Sequence, residues 1–144
     1  MFKLIYKEFP PSSNKIYFRG TSLTAKARVF SEDFAKFMMQ HYGHLLSQVR
    51  SEATYAIHLH FYFDTIVNGT WNNPMVKPSK RAKDRYKRFD LDNRIKLLVD
   101  CIRDFIDVDD SHFLVITTEK HMDSTDPRIE VMVQEVDPRD FGVT

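Results

Sequence analysis

Apolar residues Phe2, Leu4 and Tyr6 alternate with Lys3, Ile5 and Lys7, an imperfect period of two that predicts a short opening strand. Pro10 and Pro11 end it, because neither proline can donate to a strand ladder. Ser12 to Leu23 reads as loop. Phe34, Phe37, Met38, Tyr42, Leu45, Leu46 and Val49 then recur at helical spacing. They predict an amphipathic helix capped by Ser31, with Glu32 and Asp33 in its first turn and its end near Arg50. Alternation returns at Tyr55, Ile57, Leu59, Phe61 and Phe63, a strand with one apolar face. A polar stretch with Gly69, Pro74 and Pro78 follows, from Val67 to Arg88, and a connection of that length usually carries function. Asp90 opens a second helix, whose residues Ile95, Leu98, Val99, Ile102, Phe105 and Ile106 keep the 3.6 period closely. Phe113 to Thr118 and Ile129 to Val136 read as closing strands, with turn chemistry from Asp123 to Pro127 between them. The order predicts an α/β or α+β domain: a small mixed β-sheet carrying two amphipathic helices.

At 144 residues, with no repeat and no Gly/Ser linker, the chain is expected to form one domain over 1–144. A composition of 42% hydrophobic and 28% charged residues excludes low-complexity disorder and collagen. No apolar run is long enough for a membrane span, so no membrane partner is expected. The opening MFKLIYKEFPP lacks the apolar stretch of a secretory signal. The single cysteine, Cys101, excludes an intrachain disulfide framework and a multi-cysteine zinc site, and a reducing, cytoplasmic setting is the expectation.

Charge changes the picture once it is divided along the chain. Lys77, Lys80, Arg81, Lys83, Arg85, Lys87 and Arg88 share their segment with one acidic residue, Asp84. That segment carries +6 in a chain of net charge +1, so the remainder carries −5. The basic loop, about 67–88, is suited to a phosphate backbone, with Tyr86 and Trp71 interleaved. A solvated loop that binds nothing is the bland alternative. Seven aspartates follow between Asp90 and Asp110.

Asp92, Lys96 and Asp100 fall at i, i+4 and i+8 on the second helix and share one face, away from the Ile95/Leu98/Ile102 stripe. Asp90 can turn towards the same end, and a chain returning along the helix could bring Asp109 or Asp110 near. Convergent carboxylates suit Mg²⁺, which takes oxygen ligands and keeps waters for substrate phosphate. Lys96 adds a positive charge near such a phosphate. Spacing alone equally fits an N-cap at Asp90 and a surface ion pair between Asp92 and Lys96. An EF-hand does not fit, because Thr118 stands where a loop from Asp107 needs its closing Glu.

His58 and His60 sit at an i,i+2 spacing that can ligate zinc, but no third ligand is placed, and face-lining histidines are the simpler reading. His112 and His121 flank the acidic pair and the following strand. Cys101 lies beside the core stripe as a small buried hydrophobe.

The string Arg88-Phe89-Asp90-Leu91-Asp92-Asn93-Arg94-Ile95-Lys96, followed by Asp100 and Asp109-Asp110, resembles the signature of the RusA family of Holliday-junction resolvases. Pro10-Pro11-Ser12-Ser13-Asn14 with Tyr17 is similar to that family's N-terminal segment, and Pro127-Arg128-Ile129-Glu130-Val131 to its last strand. Phe105-Ile106 stands where the family has Gly-Val, and the interval from Asp92 is one residue shorter, so Asp109 shares candidacy with Asp110. Phe89 also replaces the basic residue expected before Asp90.

The resemblance implies an intertwined or packed homodimer that cuts four-way DNA junctions by symmetric paired nicks leaving 5′-phosphates. The implied cofactor is Mg²⁺, with Mn²⁺ as an alternative. The implied metal ligands are Asp90, Asp92 and Asp110, and Lys96 joins them as a catalytic residue. Lys77, Lys80, Arg81, Lys83, Arg85, Lys87 and Arg88 would hold the DNA. A catalytically inactive branched-DNA-binding module and a less selective metal-dependent phosphodiesterase are the competing readings.

Overall fold

The computed structural model describes residues 1–11, 17–18, 22–88 and 92–144, and the side chains of all of these except 17, 18, 22 and 93. Ser12 to Asn14 of the N-terminal motif, together with Phe89, Asp90 and Leu91, lie outside the described residues.

Strand β1 (Phe2–Tyr6) lies on one edge of a four-stranded sheet. A two-stranded antiparallel pair, β2 (Tyr17–Phe18) and β3 (Ser22–Leu23), follows within the stretch that reads as loop from sequence. Helix α1 (Ala25–Tyr42) comes next. Its cap is Thr24, whose hydroxyl accepts from the Ala27 amide at 3.3 Å, rather than Ser31. The buried stripe Ala27, Phe30, Phe34 and Met38 extends the helical period back by two turns. Alanine is a weak hydrophobic signal, which is why sequence places the start late. Ser31 instead faces α2, where its hydroxyl accepts from the Cys101 thiol at 3.5 Å. α1 ends at Gly43 and a 3₁₀ stretch carries the chain to Gln48, with Leu45, Leu46 and Val49 packed against the core.

Strand β4 (Thr54–Phe63) is the spine of the sheet. A long connection and helix α2 (Asp92–Ile106) lead to β5 (Phe113–Met122), and a turn leads to β6 (Arg128–Val136). The sheet order is β1-β6-β4-β5, with β4 and β5 parallel and the other pairs antiparallel. The mixed sheet with two helices expected from sequence is the architecture observed. β5 runs to Met122, beyond the expected Thr118. It is an edge strand whose later residues, Glu119 to His121, are too polar to give an apolar alternation.

Both helices pack on one face of the sheet. Tyr55, Ile57, Leu59 and Phe61 of β4 point into that layer with Leu4 of β1 and Ile129, Val131 and Val133 of β6. Phe34 and Met38 of α1 and Leu97, Leu98 and Ile102 of α2 meet them there. Truncating a fully buried ring such as Phe34 or Phe61 would cost about 3–5 kcal/mol. Among the described residues no helix covers the opposite face of the sheet, and His58, His60, Glu119, His121, Glu130 and Arg128 are arrayed across it.

Candidate active site

α2 is two-sided because its sequence is. Leu97, Leu98, Cys101, Ile102, Phe105 and Ile106 are buried, while Asp92 and Lys96 are exposed and Asp100 is half-buried. The acidic face expected from spacing therefore exists as a face. Asp92 occupies the first turn, where the helix dipole favours a carboxylate.

The far end of the same face is a charge cluster around Arg103. Its Nη1 lies 3.2 Å from an Asp100 carboxylate oxygen and 3.7 Å from one of Asp110, and its Nε lies 3.3 Å from Asp104. Burial pushes the Asp100 carboxyl above its ordinary range, with Arg103 and then Lys96 opposing the rise. Asp107 adopts φ 55 and its amide donates to the Arg103 carbonyl at 2.9 Å, ending the helix in the left-handed region. Asp109 caps the next turn: its carboxylate accepts from the Ser111 amide at 2.9 Å, and hydrogen bonding to Ser111 holds it below the ordinary range. Asp109 is thus committed to its own backbone, whereas Asp110 faces Arg103 and solvent.

Asp110 meets the acidic face at Asp100, with which it shares the Arg103 guanidinium. Asp100 lies two turns, about 12 Å, along the helix from Asp92, with Lys96 between them.

The basic segment is a folded arm rather than a featureless loop. Val67 and Tyr86 form an antiparallel bridge, the Asn68 amide donates to the Arg85 carbonyl at 2.8 Å, and the Lys87 amide to the Ile66 carbonyl at 2.9 Å. The Ala82 amide donates to the Thr70 hydroxyl at 2.9 Å and Arg81 Nε to the Val76 carbonyl at 2.9 Å. The Arg85 guanidinium lies 5.7 Å from the Trp71 ring centre and 5.6 Å from that of Tyr86, within cation–π range of both. Lys77, Lys80, Lys83, Arg85 and Arg88 are exposed, while Arg81 and Lys87 are half-buried. Arg88 pairs with Asp84 at 3.6 Å. The arm follows β4 and precedes α2 in the chain, and its last cation, Arg88, stands four residues before Asp92. In α/β sheets, ligands characteristically bind beyond the carboxyl ends of parallel strands.

His58 and His60 line the outer face of the sheet, as the sequence reading has them. His58 Nδ1 lies 2.5 Å from the Thr117 hydroxyl, whereas His60 lies beside Glu119 and His121, a grouping that the spacing of His58 and His60 does not suggest. The signal that would have joined them was the parallel register, which places His60 opposite Glu119 and which no periodicity reports.

Among the described residues, no helix is long and apolar enough to cross a membrane. No curated protein matches the chain. The family model described as Endodeoxyribonuclease RusA matches residues 8–134 of the 144. That span takes in the N-terminal motif, the arm, both ends of the acidic helix and most of the closing strand, and the chain belongs to the RusA endodeoxyribonuclease family.

Proposed function

We propose that this protein is a divalent-metal-dependent resolvase of four-way DNA junctions, acting as a homodimer whose two sites nick symmetry-related strands. The observation that carries the reading is the family match, whose span includes both carboxylate ends of α2 and the cationic arm between β4 and α2. A twofold dimer matches the twofold symmetry of the junction. Asp90 and Asp92 at the start of α2, Lys96 one turn on, and Asp110, which shares Arg103 with Asp100, would make up each site.

The donor set suits the implied ion. Asp92 and Asp110 present exposed carboxylate oxygens, the hard donors that Mg²⁺ takes, and Mn²⁺ accepts the same set. When bound, such an ion supplies a Lewis acid for the scissile phosphate and lowers the pKa of an attacking water. Asp90, Asp92 and Asp110 would hold it. Lys96, one helical turn from Asp92, would place its ammonium against the phosphate oxygens as negative charge develops there. Lys77, Lys80, Lys83, Arg85 and Arg88 of the arm would track the backbone, with Arg81 and Lys87 contributing from half-buried positions. Trp71, Arg85 and Tyr86 form a stacking surface suited to bases exposed at a branch point.

Cleavage of a synthetic four-way junction in Mg²⁺, by wild type and by Asp92→Asn, tests the reading. A linear duplex with the same arms serves as control. Symmetric nicks at the junction by wild type alone are expected. Junction binding by both proteins with no nicking in Mg²⁺ or Mn²⁺ would leave only a binding module. Equal cutting of the linear duplex would indicate an unselective phosphodiesterase.

A further inference from the structure

The face of the sheet opposite α1 and α2 carries a second group of cation ligands, chemically unlike the first. His60 of β4 and Glu119 of β5 are cross-strand neighbours, and His121 follows Glu119 at i+2 on the same face. The Glu119 carboxylate sits between the two imidazoles. One oxygen lies 2.9 Å from His60 Nε2 and the other 3.2 Å from His121 Nε2. One ligand atom from each residue falls within a common span of 4.8 Å. The His121 Nε2 has no hydrogen-bond partner although solvent does not reach it; its contact with Glu119 is close but badly angled for a hydrogen bond. A buried ring nitrogen left in that state costs free energy unless something else meets it.

The supporting shell is rigid. His121 is stacked on Tyr62 with ring centres 4.6 Å apart and planes 14° apart. The Arg128 guanidinium covers Tyr62 at 3.9 Å and is itself held by Asp123 at 2.9 Å and Glu130 at 2.7 Å. Two parallel-paired strands and a stacked ring restrain the backbone positions and the His121 ring, the kind of support a metal site needs. The donor set is two nitrogens and one carboxylate, which suits zinc and its borderline neighbours better than Mg²⁺.

We propose that His60, Glu119 and His121 form a site for a borderline divalent transition-metal ion of the Zn²⁺ class, which clips the edge strand β5 to β4. Three protein ligands leave a fourth tetrahedral position for water or another donor. The site is complete within one chain and lies on the opposite face of the sheet from α2. It does not depend on the nuclease reading.

The test is Zn²⁺ titration of the chelator-treated full chain by calorimetry. Co²⁺ absorption in the visible serves as a coordination readout, and circular dichroism checks folding. Wild type is expected to bind one Zn²⁺ per chain and to show the intense Co²⁺ bands of a four-coordinate site. Glu119→Gln and His121→Asn should each weaken binding by at least about tenfold and remove those bands. Asp92→Asn should bind Zn²⁺ as wild type does, and excess Mg²⁺ should not displace the ion. Wild-type affinity no tighter than that of folded Glu119→Gln and His121→Asn would overturn the proposal. So would binding that Asp92→Asn abolishes, which would place the ion on α2.

Discussion

Along α2 the carboxylates are strung on one helix face, one turn or more apart, with Asp110 brought beside Asp100 through Arg103. On the outer face of β4 and β5, register alone sets His60, Glu119 and His121 within 4.8 Å. The helix offers oxygen only, exposed and dispersed; the sheet offers nitrogen and oxygen, partly buried and convergent. A helix face distributes ligands over length and leaves them to be completed by a substrate or a second copy. A cross-strand pair concentrates them and needs neither. The first arrangement suits an ion held loosely with several waters, and the second a tightly ligated one.

The largest expected effect breaks the comparison in one direction. Asp92→Asn should lower junction cleavage in Mg²⁺ by about 10³-fold, and Lys96→Ala by about 10²–10³-fold, with junction binding retained. Gel-shift and single-turnover cleavage assays on the same preparations separate the two quantities. Glu119→Gln, which should lose Zn²⁺, should cut at the wild-type rate. Cleavage that falls with Glu119→Gln as steeply as with Asp92→Asn would merge the two regions into one site.

A smaller effect sharpens the picture of the cationic arm. Each Lys or Arg that neutralises a phosphate contributes about 0.9 to the slope of log affinity against log salt. Replacing Lys77, Lys80 and Lys83 by Gln should flatten that slope by up to about 2.7, measured by fluorescence anisotropy over a salt series. An unchanged slope would make the arm a solvated surface and move DNA contact elsewhere.

Much of this was legible in the sequence. The alternation at Tyr55 to Phe63 and the 3.6 period from Ile95 to Ile106 are strong because those segments have one dry side. The acidic face was visible for the same reason: Asp92, Lys96 and Asp100 fall where the core stripe does not. Three features were hidden for physical reasons. Thr24 as cap was obscured because Ala27 barely marks the buried face of α1. The meeting of Asp110 with Arg103 and Asp100 depends on how the chain turns between α2 and β5, a tertiary property. The pairing of His60 with Glu119 depends on strand order and register, which bring together residues 59 positions apart.

The subtlest expected effect concerns the dry side of α2. Burial pushes the Cys101 thiol up to about 11, partly offset by its hydrogen bond to Ser31. The folded protein therefore keeps the thiol protonated at pH values where the unfolded chain ionises it. Stability should fall as pH rises through and above 9, the thiol's ordinary value, towards 11. A disulfide reagent at pH 8 should label Cys101 only as fast as the chain unfolds. Rapid labelling of the folded protein would mean that this side of α2 is open.

The most direct test of the central claim, that Asp92 and Asp110 serve one nuclease site, compares the single substitutions with the double. Asp92→Asn, Asp110→Asn and the double variant are each assayed by single-turnover cleavage of a four-way junction in Mg²⁺, with junction binding checked by gel shift. The account predicts that each single substitution lowers nicking by about 10³-fold with binding retained, and that the double variant loses little more, as groups acting as a unit do. Wild-type nicking by Asp110→Asn would contradict it.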